Sequence, residues 1–508
     1  MNPQGQKLLM TLYARRLMAG LLCFGAATTL HGQSLQLHIQ WDKTTVVSKS
    51  TPTLQVVVNP PLRHGEPLAI GSYKAVKELG ADYVRYVPWL PYPKLAVAEL
   101  EPPTPEKTSW DFSIIDPMTT DFLEATEGHS TVMNFSTIPQ WMFKTDKPGT
   151  YPADPNQVTW TYEKGTELRD PTFKELGDYY SRLVSWYVDG GFTDEDGVRH
   201  ESGDHYKFPV WEVLNEVDSE HTTTPEYYTK EYDAMVEGIR RASPDTKFMG
   251  MALGGPSDHP GFVEYFLDPA HHKPGIPLDY ISYHFYAVPT HQQTIADWQF
   301  TYFDQADGFL NTVRYIENIR KRLSPQTKTD TDELGVISAD DTMQDQPGHV
   351  TAPIPPAYWN LAGSLYAYLY MQLARLQIDV IGESQLVGYP TQYPSVSMMD
   401  WTNNKPNARF WVLKLIKDNF HAGDTLVQTE LAGMTAADLE AQAFITPAGH
   451  KLLLASKRDR AIEVPLPNAD KATAVTVDVE TGDGPARSVS PANGKIKLEP
   501  FAVTVVSW

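Results

Sequence analysis

Two glutamates carry the strongest chemical signal in the chain. Glu216 closes the run Pro209, Val210, Trp211, Glu212, Val213, Leu214, Asn215, Glu216, and Glu333 follows Asp332 in a second, more polar run. An apolar run too short for an ordinary helix, ended by an amide and an acid, reads as a buried strand with polar side chains at its C-terminal lip. Two carboxylates on facing lips can break an acetal. One protonates the leaving oxygen while the other attacks the anomeric carbon, at a separation of about 5–5.5 Å; a pair that activates water stands wider. The work requires Glu216 to hold a proton near neutral pH while Glu333 is ionised.

Around this pair the sequence offers supporting groups. Asn215 precedes the first acid, and Arg85 lies in an apolar run where it can hold a carboxylate ionised. His284 and Tyr286 share one face of the stretch Ser282, Tyr283, His284, Phe285, Tyr286 and are placed to meet substrate or Glu333. Trp141 and Trp401 are candidates to stack on a sugar ring. Glu383 is a third acid expected in the same mouth. A metal hydrolase would need several histidines and carboxylates at strand ends, and His271 and His272 sit instead in a Pro- and Gly-containing loop. No metal or cofactor is expected.

The elements that must position these residues alternate regularly. Apolar strands centred on Val56, Val84, Val132, Val213, Met249, Ile281, Thr331 and Ile381 are separated by amphipathic helical stretches. Eight such units predict a (β/α)₈ barrel of the α/β class over residues 53–423, with Glu216 on the fourth lip and Glu333 on the seventh. After residue 424 the pattern turns to short strands punctuated by Pro447, Ala448, Gly449 and by Thr481, Gly482, Asp483, Gly484. This predicts an antiparallel β-sandwich over residues 424–508. Leu35, Leu37, Ile39 and Trp41 alternate with polar residues, so residues 33–52 are expected to add a strand to it.

With these residues in place the chain resembles the clan A glycoside hydrolases, and within them family 39, which includes β-xylosidases and α-L-iduronidases. The resemblance rests on the Trp211 to Glu216 run, on Trp110, Asp111, Phe112, on Pro139, Gln140, Trp141, Met142, on Ser282 to Tyr286, and on Asp332, Glu333, Leu334, Gly335. It implies a retaining glycosidase with Glu216 as general acid/base, Glu333 as nucleophile and Asn215 on the sugar 2-hydroxyl, acting on an oligo- or polysaccharide. Val217 stands where such enzymes often carry proline, and Leu334 where an aromatic commonly follows the nucleophile. A barrel that binds carbohydrate without turnover is the alternative, and the presence of both acids argues against it.

Composition bounds the remaining choices. Among 508 residues, 41% hydrophobic and 11% aromatic content specify a packed core, not a disordered chain. Lys7, Arg15 and Arg16 followed by the apolar residues 17–30 read as a secretory leader, expected to be cleaved between about Ala26 and Gln33. Residues 1–32 would then be a signal peptide and the protein secreted or periplasmic. The single cysteine, Cys23, would leave with it, and the formal charge would move from −21 to −24. So acidic a surface disfavours nucleic acid and anionic membranes as partners, and no later segment is long and apolar enough to span a bilayer.

Overall fold

The computed structural model describes residues 34–147, 149–159, 165–343, 352–390 and 392–508; the expected leader lies outside them. Strand β1 is Gln36–Val47, and β2 (Thr51–Val57), β3 (Val84–Val87) and β4 (Thr131–Met133) follow with intervening helices. A small hairpin, β5 (Gly191–Thr193) with β6 (Arg199–Glu201), precedes β7 (Val210–Val213). The remaining parallel strands are β8 (Lys247–Leu253), β9 (Tyr280–Ala287), β10 (Lys328–Val336) and β11 (Val380–Glu383). They close in the order β10-β11-β2-β3-β4-β7-β8-β9, a parallel eight-stranded barrel ringed by helices.

Alternation along the strands divides their side chains between two environments. On β7, Trp211 packs outward against Phe135, Tyr180 and Phe208; a fully buried side chain of this size contributes about 2–3 kcal/mol through area alone. Glu212 on the same strand points the other way, into the barrel. The lowest interior layer is apolar, built from Val132, Val210, Met249 and Tyr280. Above this plug the interior becomes polar, with Gln55, Arg85, Asn134, Glu212 and Ser282 all buried. The change from apolar to polar along the barrel axis marks the end at which the catalytic residues of such barrels sit.

The helices are spaced by sequence as well as by packing. Helices Lys174–Val188 and Pro225–Ala242 cross where Gly177 and Gly238 face one another, and a Cβ on Gly238 would stand 2.0 Å from the Gly177 carbonyl oxygen. Thr224 caps the second helix by accepting from the Tyr227 amide, and Pro225 occupies its first turn, where a missing N–H costs nothing.

β1 pairs antiparallel with Thr425–Ala432, at the edge of a seven-stranded sheet formed otherwise by residues beyond 424. The antiparallel pair of Ile462–Pro465 and Lys495–Leu498 covers that sheet. Leu37, Val427, Leu452, Leu454, Ile462, Val464, Ile496, Leu498 and Val506 fill the space between the two layers. This antiparallel sandwich is fastened to the barrel through helix Ala357–Leu376. There Ser364 donates to the Ser456 carbonyl, and the Arg375 guanidinium reaches Glu440, Ala441 and Gln442. Among the described residues no helix is long and apolar enough to cross a membrane.

Candidate active site

The lip of β7 breaks the strand alternation. Leu214 and Glu216 both take positive φ, at 64° and 42°, so Asn215 and Glu216 face the same mouth although adjacent in sequence. Non-glycine residues hold this conformation only where their surroundings over-determine it. Here the Glu216 amide donates to the Ala252 carbonyl at 2.9 Å. The Asp218 carboxylate accepts from the Gly254 and Gly255 amides, both at 2.9 Å, which ties the β7 lip to the β8 lip. Ser219 donates to Glu216 Oε2 at 3.1 Å, and a Cβ on Gly254 would come within 2.8 Å of the Glu216 carboxyl carbon.

The lip of β10 breaks alternation by another device. Asp330 pairs with Ser282 but Glu333 pairs with His284, so β10 carries one extra residue, a β-bulge between them. The bulge lets two consecutive acids approach the same cation. Arg85, with 1% of its surface exposed, donates from Nε to Glu212 Oε2 at 2.5 Å and lies 2.9 Å from Asp332 Oδ2. Its Nη1 reaches Gln55 Oε1 and Glu333 Oε1, both at 2.6 Å, and Nη2 reaches Asn215 Oδ1 at 2.5 Å. Asn134 and Ser282 complete the shell of Glu212. A buried guanidinium surrounded this way is paired on every nitrogen, as burial of a charge requires.

His284 and Tyr286 flank the second acid. Tyr286 donates to Glu333 Oε2 at 2.7 Å and exchanges a hydrogen bond with Ser384, which Gln55 also reaches. His284 Nδ1 stands 3.0 Å from Glu216 Oε1 and 3.5 Å from Glu333 Oε2, bridging the two acids. Burial alone would push the Glu333 carboxyl up. The His284 ring and the Arg85 guanidinium outweigh it and, with the Tyr286 hydroxyl, hold Glu333 below the ordinary glutamate range. Burial would likewise lower His284, but the Glu333 and Glu216 carboxylates outweigh it and raise its pKa. Asp332 is pushed well up by burial and by Glu212, so the neighbouring acid on the bulge favours its neutral form.

These groups open into a pocket of about 120 Å³ at the mouth, lined in part by Asn215, Glu216, Tyr286 and Glu333. One oxygen each of Glu216 and Glu333 and a ring nitrogen of His284 all lie within 4.8 Å of one another. Among the described residues this is the set whose donor atoms have the spacing of a metal site, although Arg85 and Tyr286 already occupy the Glu333 oxygens.

Several expected substrate contacts fall elsewhere. Arg85 and His284 meet the acids and do not line the pocket: Arg85 is buried with its donors taken by protein groups, Glu333 among them, and His284, 2% exposed, bridges Glu216 and Glu333. Glu383 is fully buried on β11 and paired with Arg409 Nε at 2.9 Å; burial pushes its carboxyl up to about 7. Trp141 donates to the Glu99 carbonyl and carries Arg169 over its ring. Trp401 lines a separate surface groove with Pro60, Pro61 and Tyr389. Besides Tyr286, the aromatic rings at the pocket are Trp89 and Tyr393, 6.5 Å apart and stacked, with Glu220 and Gln385 as further polar lining. Trp89 was readable as the aromatic directly after the second strand; Tyr393 lies in a loop with no periodic signal.

Comparison with known proteins accords with this geometry. The model of the Glycosyl hydrolases family 39 matches residues 166–347, a segment that contains Glu216, His284 and Glu333. Residues 436–506 match the immunoglobulin-like C-terminal domain of D-apionate lactonase. No curated protein matches the chain in sequence. Among solved structures, the GH51 arabinofuranosidase of Xanthomonas axonopodis pv. citri superposes with a TM-score of 0.61 at 12% identity, over 94% of this chain and 100% of that one. The GH30 endoxylanase of Clostridium papyrosolvens gives 0.54 at 10% identity, over 93% and 99%. A conserved exported protein from Bacteroides fragilis gives 0.60 at 11% identity, over 93% and 99%. Fold and matched segment together define a glycosidase. Its likeness is to the clan A glycoside hydrolases, with family 39 matched over the segment that carries both acids.

Proposed function

We propose that the protein is a retaining glycoside hydrolase that cleaves β-xyloside-like or related bonds in a plant- or microbe-derived glycan by double displacement. Glu333 is the nucleophile and Glu216 the general acid/base. The observation that carries the reading is that one oxygen of each acid lies within 4.8 Å of the other, a spacing that suits the closer, retaining pair of carboxylates. Glu333 attacks the anomeric carbon as the glycosidic bond breaks, and Glu216 protonates the departing oxygen. A covalent glycosyl-enzyme results. Esterification removes the Glu333 charge, so Glu216 loses its proton more readily and can deprotonate the water that attacks the same carbon. His284, hydrogen-bonded to Glu216 and facing Glu333, orients the two acids toward one another. Asn215 holds the sugar 2-hydroxyl.

The substrate class is supported by the family 39 segment and by a fold shared with an arabinofuranosidase and an endoxylanase. Export is supported by the charged and apolar pattern of the first 32 residues and by the exported protein of similar fold. A panel of aryl xyloside, arabinoside, glucoside and uronides tests the activity, and proton NMR of the first-formed sugar tests the mechanism. The expected product keeps the anomeric configuration. Net inversion would remove Glu333 from the nucleophile role, and a wild-type chain that turns over no member of the panel would defeat the enzyme reading in this form.

A further inference from the structure

The barrel face that carries the mouth has a second opening, a surface groove of about 580 Å³ that the cleavage chemistry does not use. Its residues come from the segments after β2, β4 and β11 and from the first turn of helix Pro67–Leu79, all at the C-terminal lips of the strands. Pro60, Pro61, Tyr389 and Trp401 give it ring surfaces, and Asn156 and Asn404 give it amides. Asn156 Oδ1 accepts from Arg63 Nη1 at 3.0 Å, which leaves its Nδ2 as a donor.

Trp401 is the unusual member. Among the described tryptophans it alone has neither a ring or cation packed on it nor a partner for its indole N–H. It is partly exposed, yet its backbone is held firmly. Met399–Asp400 pairs antiparallel with Lys405–Pro406, and Trp401 opens the turn between them. Asp400 Oδ1 accepts from the Thr402 amide at 2.8 Å and the Thr402 hydroxyl at 2.6 Å, and the Asn404 amide donates to the Asp400 carbonyl at 2.8 Å. The turn is pressed onto helix Pro67–Leu79, where a Cβ on Gly71 would stand 2.5 Å from the Asn404 carbonyl oxygen. A ring ordered in advance and left bare can stack on a ligand with little further loss of freedom.

The groove is continuous with the acid pocket through two shared walls. Val57 lines the pocket and Pro60 lines the groove, three residues and so at most about 11 Å further along the chain. Tyr389 and Gln392 close a turn by mutual backbone bonds of 3.1 and 2.6 Å; Tyr389 lies in the groove, and Tyr393, just past the turn, lies in the pocket. A sugar ring is apolar on its faces and hydroxylated at its edge, which ring platforms beside amides match. We infer that the groove is an accessory glycan-binding site, in which Trp401 and Tyr389 stack on, and Asn156 and Asn404 hydrogen-bond to, a neutral oligosaccharide segment remote from the bond that is cleaved. The inference goes beyond the cleavage reading and rests on it only for the identity of the glycan.

The test is isothermal titration of the full chain carrying Glu333→Gln, which leaves the sugar uncleaved, with xylohexaose, arabinohexaose, cellohexaose and the free monosaccharides. At least one hexasaccharide should bind about tenfold or more tighter than its own monosaccharide, which fills the mouth alone. Adding Trp401→Ala should weaken that hexasaccharide about three- to tenfold, the worth of one stacked aromatic contact, and leave the monosaccharide unmoved. Asn156→Ala, at an exposed loop position, should weaken it about two- to fivefold and carries the test where circular dichroism shows Trp401→Ala misfolded. A hexasaccharide no tighter than its monosaccharide throughout the panel, or an affinity untouched by the variants that fold, would overturn the inference. Saturation by a decaproline peptide with no saccharide bound would do the same. A wild-type chain that turns over no aryl glycoside but binds a hexasaccharide through Trp401 loses the cleavage reading and keeps the accessory site.

Discussion

The two acid-bearing lips of the barrel solve opposite electrostatic problems. Glu333, on β10, is 6% exposed and bonded to Arg85 and Tyr286, with His284 alongside. Glu216, just past the end of β7, has a quarter of its side chain exposed and, among the described residues, is hydrogen-bonded to Ser219 and the shared His284. One acid is surrounded by donors that favour its anion; the other faces the mouth, where a leaving oxygen would depart. Chemical difference between identical side chains comes from where each strand ends and which cation lies beneath it.

The sharpest way to test that contrast is to remove each acid and vary the leaving group. Glu333→Gln should lower kcat by on the order of 10⁴-fold or more on every substrate, since it removes the proposed nucleophile. Glu216→Gln should lose about 10²–10⁴-fold on an alkyl glycoside but far less on a dinitrophenyl glycoside, whose oxygen departs without a proton. Equal losses across leaving groups would break the division of labour.

Arg85→Met should then show that the β10 side depends on one cation. Removing it strands Glu212 and Glu333 in the barrel, and uncompensated buried charge of this kind costs about 3–5 kcal/mol, readable by chemical denaturation at neutral pH. The sign with pH follows from the depressed Glu333 pKa. The stabilisation it reports is present above the unfolded-state glutamate pKa and is lost as pH falls through the folded-state value. The deficit of the variant should therefore shrink in acid.

The smallest expected effect belongs to Tyr286→Phe. Deleting one hydrogen bond to the Glu333 anion should move the acid limb of kcat/KM upward by roughly half a pH unit to one, with the fold intact. An unmoved limb would mean that Arg85 and His284 alone set the ionisation of Glu333.

Much of this organisation was legible in sequence because buried parallel strands read as apolar runs. Trp211 and Val213, Ile281 and Tyr283 announce their strands, and the acids stand out where the runs stop. What was not legible comes from breaks in regularity. The β10 bulge brings Asp332 to Arg85 beside Glu333, and strict alternation would have sent one of the two outward. Glu383 has the composition of a mouth acid, yet Arg409, on a helix begun 25 residues later, draws it into the barrel wall. Trp141 and Trp401 were plausible platforms by residue type. Which aromatic reaches the pocket is decided by loop paths, as Trp89 and Tyr393 show.

The edge strand β1 has a consequence for the order in which the molecule can be built. Its partner begins at Thr425, so Gln36 meets Ala432 only after the whole barrel has been synthesised. Until then an early strand with a ladder of open backbone groups waits, the kind of edge that invites pairing with another chain. Closure of the sandwich is a late, long-range step. A chain stopped before residue 425 would keep both acids and still lack the segment that covers its first strand.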